Sequence, residues 1–192
     1  MDTRCIEAER GLRLLFWGEI LFLVAAVCVL VNVWVSFFPI AVKVLAGLSF
    51  VVSLFGLVTA ARAYEGYQSA LFFLVICIIL WVSVNWVEDR WYSAFLNAAC
   101  VVVNYLMVAR VCAASADLLF QDRDASGAQW TARVRLAYRI CAAVSVACFL
   151  AGSAVRLGVL AEIVRFMGMV VSLVAGLIYL LFLQGIHELI QN

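Results

Sequence analysis

The chain has 192 residues, 68% of them hydrophobic and 13% charged, with a mean hydropathy of +1.12. Soluble domains carry roughly half apolar residues, so this composition calls for lipid as the solvent. A formal net charge of +1 without a dense Lys/Arg block excludes nucleic acid as a partner.

In chain order, apolar stretches predict six spans, at about 14–38, 40–63, 69–87, 93–116, 136–155 and 160–183. Each is long enough to cross a bilayer. A crossing segment must satisfy its own backbone hydrogen bonds, so each should be a helix. The expected fold is all-α: a single six-helix transmembrane domain over residues 1–192, a bundle arranged as three hairpins in the cell membrane. Arg4, Arg10 and Arg13 precede the first stretch as they would in a secretory signal, but its length is that of a span, and it is expected to be a retained helix.

Pro39, the one proline, separates the first two spans and predicts a tight turn. The second turn falls at Glu88-Asp89-Arg90 and the third around 156–162. The polar segment 121–135 contains Ser126-Gly127-Ala128-Gln129, a capping-box spacing that would start the fifth helix before the membrane. The second helix of each hairpin carries a similar string (Val51-Val52-Ser53-Leu54, Val101-Val102-Val103-Asn104, Val170-Val171-Ser172-Leu173), readable as a parallel repeat or as a product of Val/Leu-rich composition.

Charge sets the expected orientation. The side holding the termini and the longer connections carries Arg4, Arg10, Arg13, Arg62, Arg110, Arg123, Arg133, Arg135 and Arg139, nine in all; the other carries Lys43, Arg90, Arg156 and Arg165, four. The positive-inside rule then puts both termini in the cytoplasm. Trp17, Tyr64, Tyr67, Trp130 and Tyr138 would form the inner aromatic belt, and Trp34, Trp86, Trp91 and Tyr92 the outer one.

Ionisable residues within spans mark sites or buried pairs. Glu19, roughly 8 Å below the cytoplasmic end of the first span, and Arg110, roughly 10 Å from the same face in the fourth, share a depth. An ion pair between them is expected, with Arg139 and Arg62 as rival partners, and its role is either to fix packing or to handle a substrate or proton. The alternative is that Glu19 reaches the headgroups. Asn32, Ser83, Asn85 and Asn97 cluster near the outer helix ends, with Asn104 deeper, either as interhelical hydrogen-bond glue or as a vestibule lining. Together Glu19, Arg110, Asn32, Asn85, Asn97 and Asn104 make up the candidate intramembrane polar site.

Small residues recur at four-residue spacing: Ala143, Ala147 and Ala151 on the fifth helix, Gly168, Ser172 and Gly176 on the sixth, and Gly56 with Ala60 on the second. Helices five and six should touch along these faces, which would otherwise suit a subunit interface. Seven cysteines form no C-x-x-C pair and read as small apolar packing residues. The lone His187 reads as an interfacial side chain and cannot supply bis-histidine haem ligation. No zinc, phosphate-loop or nucleophile-elbow motif appears, so no cofactor, no metal and no enzymatic activity is expected. Three readings remain: a solute-binding or transport component with a small-molecule substrate, an accessory or scaffold subunit with a membrane-protein partner, and, last, an intramembrane enzyme.

Overall fold

The computed structural model describes residues 3–32, 39–87, 89–120, 125–154 and 158–191. Six α-helices run through them: α1 Thr3–Asn32, α2 Pro39–Ala63, α3 Gln68–Val84, α4 Arg90–Phe120, α5 Ala125–Ala154 and α6 Gly158–Gln191, with a single 3-10 turn at Glu65–Tyr67 before α3. All six are long and apolar enough to cross a membrane. The protein is an all-α, multi-pass membrane bundle.

Sequence chemistry explains the helix starts. Pro39 opens α2, where its missing N–H costs no hydrogen bond. Asp89 caps α4, its Oδ1 accepting from the amides of Trp91 at 2.8 Å and Tyr92 at 3.0 Å. Two helices begin well before their apolar stretches. α1 starts at Thr3 rather than about 14, and α5 at Ala125, ahead of its apolar stretch as the capping-box spacing leads one to expect; both continue beyond the lipid as polar helical turns. Outside the described residues lie 33–38 with Trp34, Glu88, 121–124 with Arg123, and Arg156. The side chains of Arg4, Asn32, Arg90, Ser126 and His187 are likewise outside the description.

Each helix packs on its successor, and α6 returns to pack on α1, so the bundle closes into a ring. Among the described residues α1 and α4 do not pack together, whereas α4 and α6 touch across the ring. The fully buried core gathers Leu57, Tyr67, Val111, Cys112, Phe182 and Ile186, most of them toward the side holding the chain ends. Phe55, Phe95, Trp86 and Leu181 point outward toward lipid.

The α1/α2 hairpin is held at backbone contact. A Cβ added to Gly56 would lie 2.8 Å from the Gly11 carbonyl oxygen, and one added to Gly11 would lie 2.6 Å from the Ala60 amide nitrogen. The small face expected on the second helix therefore meets a glycine on the first.

The α5/α6 contact corrects the expected faces. Ala143, Ala147 and Ala151 are exposed; the inward surface of α5 is offset from them and carries Ala142, Ser145, Cys148 and Gly152. Ser172 donates to Ser145 Oγ at 3.0 Å, Ser145 donates to the Gly168 carbonyl at 3.3 Å, and a Cβ on Gly168 would meet the Cys148 Cβ at 3.0 Å. Gly168 and Ser172 thus face α5 as expected. Gly176 does not; it faces Leu23 and Glu19 of α1. A four-residue spacing identifies a stripe, but it cannot say which stripe looks inward.

Candidate intramembrane site

Glu19 lies in the apolar part of α1, beyond the polar turns that open the helix. Its Oε1 lies 3.0 Å from where a Cβ on Gly176 would stand, so the carboxyl fills space that only a glycine on α6 leaves open.

The expected ion pair is absent. Arg110 is exposed on α4, a helix that does not pack on α1, and no ion pair joins it to Glu19 among the described residues. Equal depth is a one-dimensional criterion, and the ring places the two charges on non-adjacent helices. Roughly 12 Å from the Leu118 end of its span, the Arg110 guanidinium is within reach of the headgroup region by snorkelling. The rivals Arg62 and Arg139 are exposed too. The Glu19 carboxyl has no hydrogen-bonding or ion-pairing partner among the described residues, yet it keeps some accessible surface.

A set of polar side chains lies among α4, α5 and α6. Asn104 Nδ2 donates to Tyr138 Oη at 2.9 Å, and Tyr105 stacks on the Tyr138 ring at a centroid distance of 6.3 Å. Tyr138 meets Tyr179 edge-on, also at 6.3 Å. Tyr179 is completely buried, and its hydroxyl has no hydrogen-bond partner. Gly176 and Tyr179 are three residues apart on α6 and so share a face. Nearer the side holding the chain ends, Tyr67 and Ser115 share a buried hydrogen bond of 2.9 Å.

Of the expected polar residues only Asn104 belongs to this set, and Glu19 stands against Gly176 of α6. Ser83, Asn85 and Asn97 each bond a carbonyl of their own helix, to Ile79, Trp81 and Ser93, all at 2.8 Å. Those bonds neither tie helices together nor build a vestibule. Asn32 lies outside the described side chains. Tyr67 and Tyr138, expected in the inner aromatic belt, are buried: Tyr67, in the 3-10 turn before α3, turns inward to Ser115, and Tyr138 lies well inside α5 against Asn104. Tyr179 was not marked by any sequence motif; its signal is a phenol inside an apolar span one turn beyond a glycine. Cys77 and Cys100 meet across α3 and α4 with sulfurs 3.4 Å apart.

Comparison of the chain with protein-family models, curated proteins and solved structures gives no match.

Proposed function

We propose that this membrane protein is a small solute-binding or transport component, non-catalytic, with the Glu19 site as its docking point. One observation carries the reading: a carboxyl within a membrane-spanning helix has, among the described residues, neither counter-ion nor hydrogen bond. A purely structural acid inside a span needs a partner, since an unpaired buried charge costs several kcal/mol. Its retention without one points to a ligand or a proton as the missing partner.

The test is flux. Protein reconstituted in liposomes is offered small ammonium, carboxylate and uncharged solutes, with internal pH followed by a trapped dye. Entry of one class should require the protein and fall at least tenfold in Glu19→Gln. Equal entry through the wild type and Glu19→Gln would contradict the reading.

A second reading, an accessory subunit with a membrane-protein partner, is favoured by the exposed Ala143, Ala147 and Ala151 on α5, where another helix could approach closely. In either reading both termini are cytoplasmic in the cell membrane, on the nine-to-four arginine and lysine bias. Single cysteines placed in a cysteine-free background at residues 2, 90, 125 and 190 should accept a membrane-impermeant maleimide in intact cells only at 90; labelling at 125 from outside would reverse the orientation.

A further inference from the structure

We propose that Cys77 and Cys100 form a dithiol that a lipid-soluble hydroperoxide converts into a disulfide joining α3 to α4. This modification site stands apart from Glu19 and goes beyond the solute-binding reading.

The pair follows from the hairpin. A short turn at Asp89 joins α3 to α4 and the two helices pack on each other, so residues at matched distances from the turn meet. Cys77 lies seven residues before the Val84 end of α3, and Cys100 ten residues after the Arg90 start of α4. Those distances, roughly 10 and 15 Å at 1.5 Å per residue, differ by less than one helical turn.

The side chains then aim at each other. Their sulfurs are 3.4 Å apart, and the Cys77 sulfur also lies 3.9 Å from the Cys100 carbonyl oxygen, so two contacts direct Cys77 at residue 100. Among the described residues no hydrogen bond joins any other two cysteines. A disulfide spans roughly 2.05 Å, so the sulfurs need to close by about 1.4 Å, a distance that rotation of the two side chains supplies while the helices stay packed. A small apolar residue on either helix would serve packing; two thiols in contact add the capacity for a covalent bond.

Burial orders the chemistry. Cys77 is 3% exposed, whereas Cys100 is half-buried and keeps accessible surface, so the oxidant meets Cys100 first. The Cys100 sulfur attacks the terminal oxygen of R–O–O–H, the O–O bond breaks, and the thiol proton passes to the departing alkoxide. Cys100 is left as a sulfenic acid and R–OH is released. The Cys77 sulfur next attacks the sulfenic sulfur, the S–O bond breaks, and the Cys77 proton leaves with the hydroxyl as water. Two thiols and one hydroperoxide thus give one disulfide, one alcohol and one water; the thiols lose two electrons and the peroxide bond gains them. Both cysteines lie within helices that cross the membrane, so an oxidant dissolved among the acyl chains reaches them where a water-borne one is held back. The adjacent resolving thiol also protects the sulfenic acid from further oxidation.

The experiment needs no assay of transport. The full chain in lipid nanodiscs is treated with cumene hydroperoxide, its remaining thiols are blocked with maleimide under denaturing conditions, and the product is read by intact mass and peptide mapping. It should have lost two hydrogens and two of its seven thiols, with Cys77 linked to Cys100, and dithiothreitol should reverse the change. Hydrogen peroxide at the same concentration should act slower by roughly tenfold or more, because exposure to the oxidant governs susceptibility. In Cys77→Ser the resolving thiol is gone, so dimedone should trap Cys100 as the sulfenic acid; in Cys100→Ser the Cys77 thiol should survive. If either variant fails to fold, the wild-type map decides alone. A link between any other two cysteines, intact thiols at 77 and 100, dimedone labelling of Cys77 in Cys100→Ser, or equal rates with the two peroxides would overturn the proposal.

Discussion

Gly56→Leu should separate the first hairpin and cost about 3 kcal/mol of stability, the largest effect expected from a single residue on the lipid-embedded helices. The Cβ alone would lie 2.8 Å from both the Gly11 carbonyl oxygen and the Leu15 amide nitrogen, and backbone atoms cannot swing aside as the end of a side chain can. Overpacking ordinarily costs roughly 1 to 3 kcal/mol, and a rigid backbone on the opposite side places this site at the upper end. Lipid adds no hydrophobic force to hold the helices together once close contact is lost. Gly56→Ala should fall at about 1 kcal/mol. Gly47 supplies the internal control: it lies on the same helix with nothing within 4 Å of its Cβ position, so Gly47→Ala should be neutral or slightly stabilising through helix propensity. Thermal unfolding in nanodiscs measures all three, and equal values for Gly47→Ala and Gly56→Ala would show that α1 and α2 do not touch at this point.

Which parts of this architecture were legible follows from what lipid constrains. Six helices and their order are readable because a lipid-exposed backbone has no alternative, and the turns at Pro39 and Asp89 announce themselves through proline geometry and a capping carboxylate. Helix starts outside the membrane are not readable from hydropathy. Depth along a span says nothing of lateral position, so the matched depths of Glu19 and Arg110 do not make them neighbours: the ring keeps α1 and α4 apart.

Neighbour relations that no loop enforces were not legible either. Nothing in the chain's order says that α6 closes on α1 or that α1 and α4 stay apart, so Gly176 was assigned to α5 and Tyr179 was overlooked. The Ala143/Ala147/Ala151 stripe was visible as a period, but apolarity marks both the lipid side and the packed side of a membrane helix, and the neighbouring Ala142 and Ser145 turned out to face inward. In water a polar face would have told the two apart; in lipid that contrast vanishes.

The second large effect concerns Glu19 itself. Removing one member of a buried ion pair costs roughly 3 to 5 kcal/mol, because the surviving charge is stranded. With no partner at Glu19, Glu19→Gln strands nothing and should leave stability unchanged or raised, while abolishing solute handling at the site. Arg110→Met, on the exposed face of α4, exchanges a snorkelling cation for an apolar side chain that lipid accepts, and should also cost little.

The central claim, that the Glu19 carboxyl has no counter-ion among the described residues and that Arg110 is not its partner, is tested most directly by a double-mutant cycle of Glu19→Gln and Arg110→Met read as unfolding free energy in nanodiscs. Independent residues give additive effects within roughly 0.5 kcal/mol, and that is the predicted result. A coupling of about 2 kcal/mol or more, with each single substitution strongly destabilising and the double one rescued, would show that the two charges meet after all and that the partnerless site does not exist.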